Sequence, residues 1–469
     1  MRNRFRQIGL VVIGVLVGAA ITVNYSAIAD KDALAPLPVD ELREFAQVFG
    51  VIKNDYVEQV PDKKLITSAI NGMVSGLDPH SAYLDAEAYR ELQVGTQGQF
   101  GGLGIEVGME DGFVKVISPI DDTPAARAGI KAGDLIVKLN DTAVKGMTLN
   151  DAVKRMRGKP DTKITLTIIR KGESKPIVVT LTRAIIKIKS VKSTLLEPGY
   201  GYFRITQFQE HTGQALTRAV EHLYKENHGP LKGIVLDLRN DPGGLLNGAV
   251  AVSSVFLPHD DLVVYTKGRT PDAEMRLTAD PKDYLRGSLS ADYERHLPAG
   301  IKTVPMVVLV NGGTASASEI VSGALQDHKR AVIMGTQTFG KGSVQTILPL
   351  GNGTAIKLTT ALYYTPDGRS IQAKGITPDI EVKEATALAK EDASLGLHEA
   401  DLEHHIVINN EKPQQTAKAN PVVANFKVTP PTAQEKKGVK LEPGQIISKN
   451  DYQLNQAIAL LKGMHVVKR

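Results

Sequence analysis

Two short glycine-rich stretches carry side chains that could cleave a bond by nucleophilic attack. The first, Asn311-Gly-Gly-Thr-Ala-Ser-Ala-Ser-Glu319, places small hydroxyl residues between the apolar run 305–310 and the helical pattern of 315–328. In the second, Thr338-Phe-Gly-Lys-Gly-Ser-Val-Gln345, a lysine stands between two glycines. A serine at a strand-to-helix turn is placed to act as a nucleophile, and burial lets a lysine accept its proton. The two stretches therefore indicate a Ser–Lys hydrolase.

Other interpretations of these stretches stay open on the residues alone. Small-residue turns before helices are commonly N-caps, and a Gly-Lys-Gly loop is commonly a solvated turn. The segment Gly335-Thr-Gln-Thr-Phe-Gly-Lys341 also matches a phosphate-binding loop, but Gly342 stands where a Ser or Thr would bind magnesium. The next residues, 344–348, have a strand pattern, whereas a phosphate loop opens a helix. A nucleotide site is therefore not expected.

Histidines suggest a second kind of chemistry. His80 lies in the turn Gly76-Leu-Asp-Pro-His-Ser-Ala-Tyr83 and is a candidate general base, although a histidine in such a turn more often makes a local hydrogen bond. The pairs His398-Glu399 and His404-His405 lack the His-Glu-x-x-His spacing of a zinc site, which favours a solvated helix face. The sequence has no cysteine, which excludes thiol nucleophiles, disulfides and cysteine metal ligands. No metal or other cofactor is expected.

Composition narrows the class of protein. The chain of 469 residues is long enough for two or three domains, and its 42% hydrophobic and 23% charged residues are typical of a folded soluble protein. The net charge is only +5, and no basic stripe carries interleaved aromatic residues, so nucleic-acid binding is not expected.

The N-terminus has the features of an export signal. Three arginines precede the apolar run 8–23, and Ala27-Ile-Ala29 follows it as a cleavage site. Residues 1–29 are therefore predicted to be a signal peptide, with an uncleaved inner-membrane anchor through residues 8–23 as the alternative. In either case the rest of the chain is exported, and we expect a periplasmic location.

Between residues 96 and 184 the pattern becomes that of a small β-rich domain with one helix, over 149–156. Three motifs occur in order, Phe100-Gly-Gly-Leu-Gly-Ile105, Thr123-Pro-Ala-Ala-Arg-Ala-Gly-Ile130 and Gly133-Asp-Leu-Ile136, and they resemble a PDZ domain. Successive N–H groups of a glycine loop can capture a terminal carboxylate while the peptide adds as a strand to a sheet edge. The residues of that loop are Gly102, Leu103, Gly104 and Ile105. The alternative is a glycine-rich hairpin of an ordinary β domain.

The regions on either side of this domain have different patterns. Residues 38–95 read as helical, and residues 185–385 alternate strands with helices, which predicts an α/β core with a partly parallel sheet. Within the core, the polar segment 258–303 is expected to be an inserted excursion rather than part of the core. Residues 386–443 are predicted to be a partly disordered linker, and 444–469 a C-terminal helical segment.

The combined motifs resemble the C-terminal processing peptidases, or tail-specific proteases, from about residue 38 to 385. Besides the two opening stretches, the matching motifs are Leu77-Asp-Pro-His-Ser81, Asp237-Leu-Arg-Asn-Asp-Pro-Gly-Gly244, Tyr364-Thr-Pro-Asp-Gly-Arg-Ser-Ile-Gln372 and Gly375-Ile-Thr-Pro-Asp379. The resemblance implies a mixed-sheet catalytic core of ββα-type repeats, similar to ClpP and crotonase, with an inserted PDZ domain. It also implies a serine endopeptidase that recognises polypeptide C-termini and works through an acyl-enzyme.

The same resemblance implies roles for individual residues. Ser316 corresponds to the nucleophile, Lys341 to the base and Gln345 to the residue that orients the lysine amine. The implied oxyanion donors are the N–H of Ala317 and one N–H of the Gly243-Gly244 turn, with the choice of glycine left open. Thr314 departs from the usual serine, a change that should not affect the chemistry. Arg157, near the domain junction, is a candidate for coupling substrate docking to the active site.

A PDZ scaffold without catalysis, which binds protein C-termini and does not cleave them, is the alternative function. The sequence is compatible with an adaptor or lipoprotein partner and with a homo-oligomer.

Overall fold

The computed structural model describes residues 37–120, 123–131, 133–147, 149–187, 189–285, 292–383, 398–407, 447 and 450–467. The predicted signal segment 1–29 and most of the predicted linker 386–443 lie outside these residues. None of the helices in the described ranges has the length and apolarity needed to cross a membrane. The chain divides into two units, residues 1–72 and 73–469.

The first described elements are helices, as the sequence predicts. Helix α1 (Val39–Asp55) repeats apolar residues every three or four positions, and the ion pair of Lys53 with Asp62, at 2.9 Å, joins it to the start of α2 (Asp62–Ser75). A short strand, β1 (Ala82–Leu84), follows and was not predicted. Helix α3 (Ala86–Gln97) then begins at Asp85, whose carboxylate accepts the N–H of Ala88.

The β-rich domain consists mainly of short strands, as the sequence predicts, and contains the predicted helix over 149–156 and a second, short helix that was not predicted. Its elements are β2 (Gln99–Gly102), β3 (Ile105–Glu110), β4 (Phe113–Pro119), α4 (Pro124–Arg127), β5 (Leu135–Leu139), β6 (Thr142–Ala143), α5 (Leu149–Met156), β7 (Lys163–Ile169), β8 (Ile177–Thr182) and β9 (Ala184–Lys187). The main sheet has the order β3-β4-β5-β7-β8, and β2 pairs with β9. Strand β3 is thus an edge strand among the described residues. Alternate side chains such as Val114, Val116, Ile136 and Leu166 form the core of this domain.

The α/β core follows in the expected alternating order. Its strands are β10 (Val191–Glu197), β11 (Tyr200–Ile205), β12 (Gly233–Asp237), β13 (Leu262–Gly268), β14 (Arg276–Thr278), β15 (Met306–Val310), β16 (Val332–Gly335), β17 (Ser343–Pro349), β18 (Ala355–Tyr364) and β19 (Ile380–Glu381). Its helices are α6 (Thr212–Glu226), α7 (Leu246–Phe256), α8 (Pro281–Tyr284) and α9 (Ala317–Asp327), and α10 (Tyr452–Val467) follows near the C-terminus. The main sheet has the order β10-β11-β12-β15-β16-β19 and is parallel from β11 onward. A sheet that is mixed at its edge and otherwise parallel confirms the predicted fold class.

Helices cover both faces of this sheet, which explains its continuous apolar strands. Within β15, Val308 and Val310 pack with α6, α7 and α9, whereas Val307 and Leu309 face α10 through residues such as Leu461. The C-terminal helix is therefore part of the core of the α/β domain.

The expectation that residues 258–303 lie outside the core is wrong. Strand β13 pairs with β14 and with β18, in a second sheet that also contains β1 and β17. Val263 and Val264 are buried with the main hydrophobic cluster, and so is Tyr284. The charged residues scattered through the segment give no sign of β18, the strand later in the chain with which β13 pairs.

A buried cluster of charges joins α10 to the end of β12. The guanidinium of Arg239 lies 2.6 Å from carboxylate oxygens of both Asp237 and Asp451. Arg204 and the hydroxyl of Tyr202 also bond to Asp237. Because Arg239 and Asp237 are almost fully buried, each charge depends on its partners to offset the loss of water.

We predict that Asp451→Ala destabilises the protein by about 3 kcal/mol, because it leaves Arg239 buried with one carboxylate partner fewer. The matched control is Lys462→Ala in α10, the helix that Asp451 precedes; the ion pair of Lys462 with Glu197 is half exposed and should contribute less than about 1 kcal/mol. Urea unfolding followed by circular dichroism measures both. Equal losses in the two variants would contradict a structural role for the buried cluster.

Candidate active site

Ser316 occupies a strained turn between β15 and α9. Its backbone angles, φ 56° and ψ −116°, are unusual for a residue with a side chain and cost about 1–3 kcal/mol. Such a sharp strand-to-helix turn lifts a serine side chain off the end of a sheet. The Ser316 side chain is partly exposed, so it can meet a substrate.

The neighbouring hydroxyls are used for structure instead. The buried Thr314 hydroxyl donates to the carbonyl of Leu238 at 2.8 Å and accepts the N–H of Asn311. The buried Ser318 hydroxyl donates to the carbonyl of Asp241 at 3.0 Å. Of the three hydroxyl residues in the motif, Ser316 alone has the strained backbone and the accessible side chain.

Lys341 lies on the loop between β16 and β17, in the position that the sequence predicts. Its Nζ donates to Oε1 of Gln345 at 2.5 Å, and no described hydrogen bond joins Nζ to the Ser316 hydroxyl. Burial lowers the pKa of Lys341 to about 8, so a substantial share of the amine is neutral near pH 8. Residues 343–349 after the loop form a strand, as predicted, which leaves a phosphate-binding loop without its helix.

The carboxylate of Glu319 connects the Ser316 turn to the Lys341 loop. It accepts the N–H of Ser316 at 2.8 Å, the N–H groups of Gly340 and Lys341 at 2.7 and 3.0 Å, and the hydroxyl of Thr338. Burial raises the pKa of the Glu319 carboxyl to about 7, against the effect of these hydrogen bonds. The backbone N–H groups of the predicted nucleophile and the predicted base therefore donate to the same carboxylate.

The glycine turn predicted for the oxyanion packs directly on the Ser316 turn. An added Cβ on Gly243 would lie 2.7 Å from the N of Ala317 and 2.8 Å from the Cβ of Ser316. Ala317 is the first residue of α9, where an N–H has no acceptor within the helix. The N–H of Gly243 donates to Asp241 at 2.9 Å, whereas no described bond uses the N–H of Gly244.

A relay of hydrogen bonds runs from Gln345 to the turn before β1. The Gln345 amide donates to the hydroxyl of Thr359 on β18 at 3.3 Å, and Thr359 donates to Asp78 at 3.0 Å. Asp78 also accepts the N–H and the hydroxyl of Ser81. The Leu77-Asp-Pro-His-Ser81 motif thus supports the residue that binds the lysine amine.

The glycine loop of the β-rich domain has a fixed shape. Gly104 adopts a left-handed conformation, and its carbonyl accepts the N–H of Ile120, while the carbonyl of Leu103 accepts the N–H of Ala125. Ile105 then begins the edge strand β3, beside which a peptide can pair.

Arg157 lies at the junction between this domain and α3. Its guanidinium stacks 4.9 Å above the Phe100 ring, and NH1 is 3.9 Å from Glu91. The structure thus places Arg157 at a domain contact rather than within the hydrogen-bond network of Ser316 and Lys341.

Comparisons with family models match three successive parts of the chain. Residues 199–382 match the model of peptidase family S41, and residues 101–181 match that of the PDZ domain. Residues 18–88 match the N-terminal domain of the activating protease CtpB.

Full-length relatives give the same result. A carboxy-terminal-processing protease of Bartonella bacilliformis is 44% identical over 459 residues, which are 98% of this chain and 96% of that protein. The chain belongs to the carboxy-terminal processing proteases of peptidase family S41. This peptidase is also 35% identical to the carboxy-terminal processing protease CtpA of Bacillus subtilis, over 82% of this chain and 78% of that one. The solved structure of a photosystem II D1 C-terminal processing protease is 31% identical and covers 72% of this chain and 92% of its own, with a TM-score of 0.40.

The predicted family, serine peptidase class and PDZ domain are therefore confirmed. Sequence reasoning missed Glu319, although a Ser-x-x-Glu pattern at a helix start is a capping signal that could have indicated it. It also misjudged two residues: Glu399 is fully buried instead of solvated, and the His80 ring bonds to Glu399 across 319 positions instead of locally. Neither contact has a signal in the local sequence.

We predict that Gly243→Ala lowers peptidase activity by about 100-fold, because the methyl group pushes the Ser316 turn out of position. The matched control is Gly312→Ala in the preceding turn, where an added Cβ meets nothing within 4 Å. Cleavage of β-casein measures activity, and thermal unfolding confirms that both variants fold. Unchanged cleavage by Gly243→Ala would contradict the tight packing of the two turns.

Proposed function

We propose that this peptidase cleaves polypeptides near their C-termini with Ser316 as nucleophile and Lys341 as general base. The observation that carries the proposal is the shared carboxylate of Glu319, which ties a strained, accessible serine to a loop whose lysine has a pKa of about 8. A serine needs an adjacent base, and a lysine can act as one only when it is neutral.

In the first step, the neutral amine of Lys341 takes the proton of the Ser316 hydroxyl while the oxygen attacks the peptide carbonyl. The N–H of Ala317 and an N–H of the Gly243-Gly244 turn stabilise the oxyanion. When the C–N bond breaks, the Lys341 ammonium protonates the leaving amine. Lys341 then accepts a proton from the water that attacks the acyl-enzyme. As the C–O bond of the ester breaks, the Lys341 ammonium returns this proton to the Ser316 oxygen, which releases the new C-terminus and restores the enzyme.

Gln345 is proposed to orient the lysine amine during both proton transfers. Its Oε1 accepts from Nζ, and its own amide is fixed by Ser343 at 2.9 Å and by Thr359. Proton transfer requires the amine to lie within hydrogen-bond distance of the hydroxyl, and this contact often tightens only when substrate binds.

The PDZ domain is proposed to select the substrate. Its glycine loop captures the terminal carboxylate, and the tail pairs with the edge of β3. The names of the curated relatives, which process carboxy termini, agree with this mode of recognition. Arg157, at the contact of the domain with α3, is proposed to transmit docking to the active site. The signal features of residues 1–29 support export, and we propose a periplasmic location.

We predict that Ser316→Ala and Lys341→Ala each fold normally and lose roughly 10⁴-fold or more in cleavage, because each removes one half of a nucleophile–base pair. Gln345→Ala should lose less than either. The substrate is an unfolded protein with an apolar C-terminal tail, and electrophoresis measures its cleavage. Ser322→Ala is the control, since its hydroxyl bonds within α9 to Ser318.

The same assay separates the alternatives. Active Lys341→Ala together with inactive His80→Ala would assign the base to His80 and refute the proposed pair. Wild-type protein that binds the tail without cleaving it would indicate a scaffold. A second substrate that ends in two aspartates tests the role of the tail, and equal cleavage of both substrates would contradict recognition by the PDZ domain.

We predict that kcat/KM rises with pH and reaches half its maximum near pH 8, because Lys341 is active only when deprotonated and its pKa is about 8. Rates between pH 6 and 10 measure this, with aliquots returned to pH 9 to confirm that the enzyme survives. A half-maximum near pH 7 would contradict the assignment, because burial raises the carboxyl pKa of both Glu319 and Asp241 to about 7.

A further inference from the structure

Glu399 reaches the active site from the segment 398–407, far outside the motifs that define the core. Its side chain is fully buried, and its backbone N–H donates to the carbonyl of Phe339 at 3.1 Å, two residues before Lys341. The carboxylate lies against the His80 ring, with Nε2 at 2.8 and 3.0 Å from its two oxygens. The loss of hydration of a buried carboxylate must be offset by such hydrogen-bond partners, since an unpaired buried charge costs several kcal/mol.

A second contact extends from Glu399 to the lysine loop. The Gln372 amide donates to Oε1 of Glu399 at 2.9 Å, and Oε1 of Gln372 accepts the N–H of Gly342 at 2.9 Å. Glu399 therefore contacts the loop on both sides of Lys341, through Phe339 directly and through Gly342 by way of Gln372. Gln372 also blocks the side of Gly342, where an added Cβ would lie 2.4 Å from its N.

The charge of Glu399 acts on Lys341 as well. Burial by itself would raise the pKa of Glu399. The hydrogen bonds from His80 and Gln372 and the charges of His80 and Lys341 outweigh burial and hold this pKa below its usual value, so the carboxylate stays ionised. The charged groups that face Lys341 are Glu399, Lys357 on β18, Glu319 on α9 and Asp78 before β1. In addition, the Tyr363 hydroxyl donates a hydrogen bond to the Lys341 carbonyl. Burial lowers the pKa of Lys341 most, and the Glu399 carboxylate is the strongest influence in the opposite direction.

We propose that Glu399 is a positioning residue for Lys341: its carboxylate, oriented by His80 and Gln372, holds the lysine loop and adds a negative charge to the groups that face the lysine. The inference rests on the proposed Ser316–Lys341 pair. The ammonium form of Lys341 is the acid that protonates the leaving amine, so the Glu399 carboxylate favours that step. The same carboxylate raises the pH at which Lys341 becomes the neutral amine that acts as the base.

The test is the pH profile of kcat/KM for Glu399→Gln, which keeps the shape and the hydrogen-bonding oxygen and removes the charge. Without the carboxylate, Lys341 loses its proton at lower pH, so the rising limb moves to lower pH. If the midpoint falls by about one pH unit, kcat/KM measured one unit below the wild-type midpoint should be about half of its plateau value in Glu399→Gln, compared with about a tenth in the wild type. This is an increase of about fivefold. Disrupted packing alone would lower the plateau and leave the midpoint in place.

Two variants control the result. Asp401→Asn removes a carboxylate from the same turn, whose side chain is more than half exposed, and should leave the midpoint unchanged. Lys357→Gln removes a cation that faces Lys341 and should move the midpoint to higher pH. A midpoint in Glu399→Gln that stays in place or rises would overturn the inference, provided that Lys341→Ala is inactive. If Lys341→Ala retains activity, the Ser316–Lys341 pair itself fails, which is a different result.

Discussion

The carboxylate of Glu319 receives hydrogen bonds from two loops that the fold brings together at the end of the parallel sheet. It lies in the first turn of α9, where the helix dipole favours a negative charge, and it is fully buried. A buried charge must be satisfied by several donors, and here the donors are the N–H groups of Ser316, Gly340 and Lys341 and the Thr338 hydroxyl. Moving either loop would break some of these hydrogen bonds and leave the buried Glu319 carboxylate with too few donors. The free-energy cost of that loss constrains the separation of Ser316 and Lys341.

Further layers of the structure act on this arrangement. Strand β18 supports the lysine loop through Tyr363, whose hydroxyl bonds to the Lys341 carbonyl, and through Thr359, which links Gln345 to Asp78. On the other side, the Arg239–Asp237–Asp451 cluster joins the C-terminal helix to the strand that precedes the glycine turn. Residues as far apart in the sequence as Asp78 and Asp451 thus take part in these contacts, and the geometry of the site depends on complete folding.

The elements were largely predictable because their periodicity is local. Helices such as 212–226 and the parallel strands show their pattern within a few residues, and the PDZ-like loop shows its glycines directly. The predictions failed where a partner distant in sequence sets the structure. The segment 258–303 was taken for an excursion because of the charges scattered along it, whereas its strand β13 is stabilised by pairing with β18, which lies far away in the sequence. Glu399 was taken for a solvated residue because nothing beside it indicates His80 or Gln372.

The sequence by itself determined the family and the presence of a PDZ domain, and it predicted Ser316 and Lys341 as a nucleophile–base pair, since these depend on residue types in short motifs. The tertiary structure alone decided which hydroxyl has the strained, accessible position, which carboxylate joins the two loops and which distant groups surround the lysine. The physical reason is that backbone strain, burial and the proton affinity of an amine depend on every group that packs around a site. Those groups come from parts of the chain that only folding brings together.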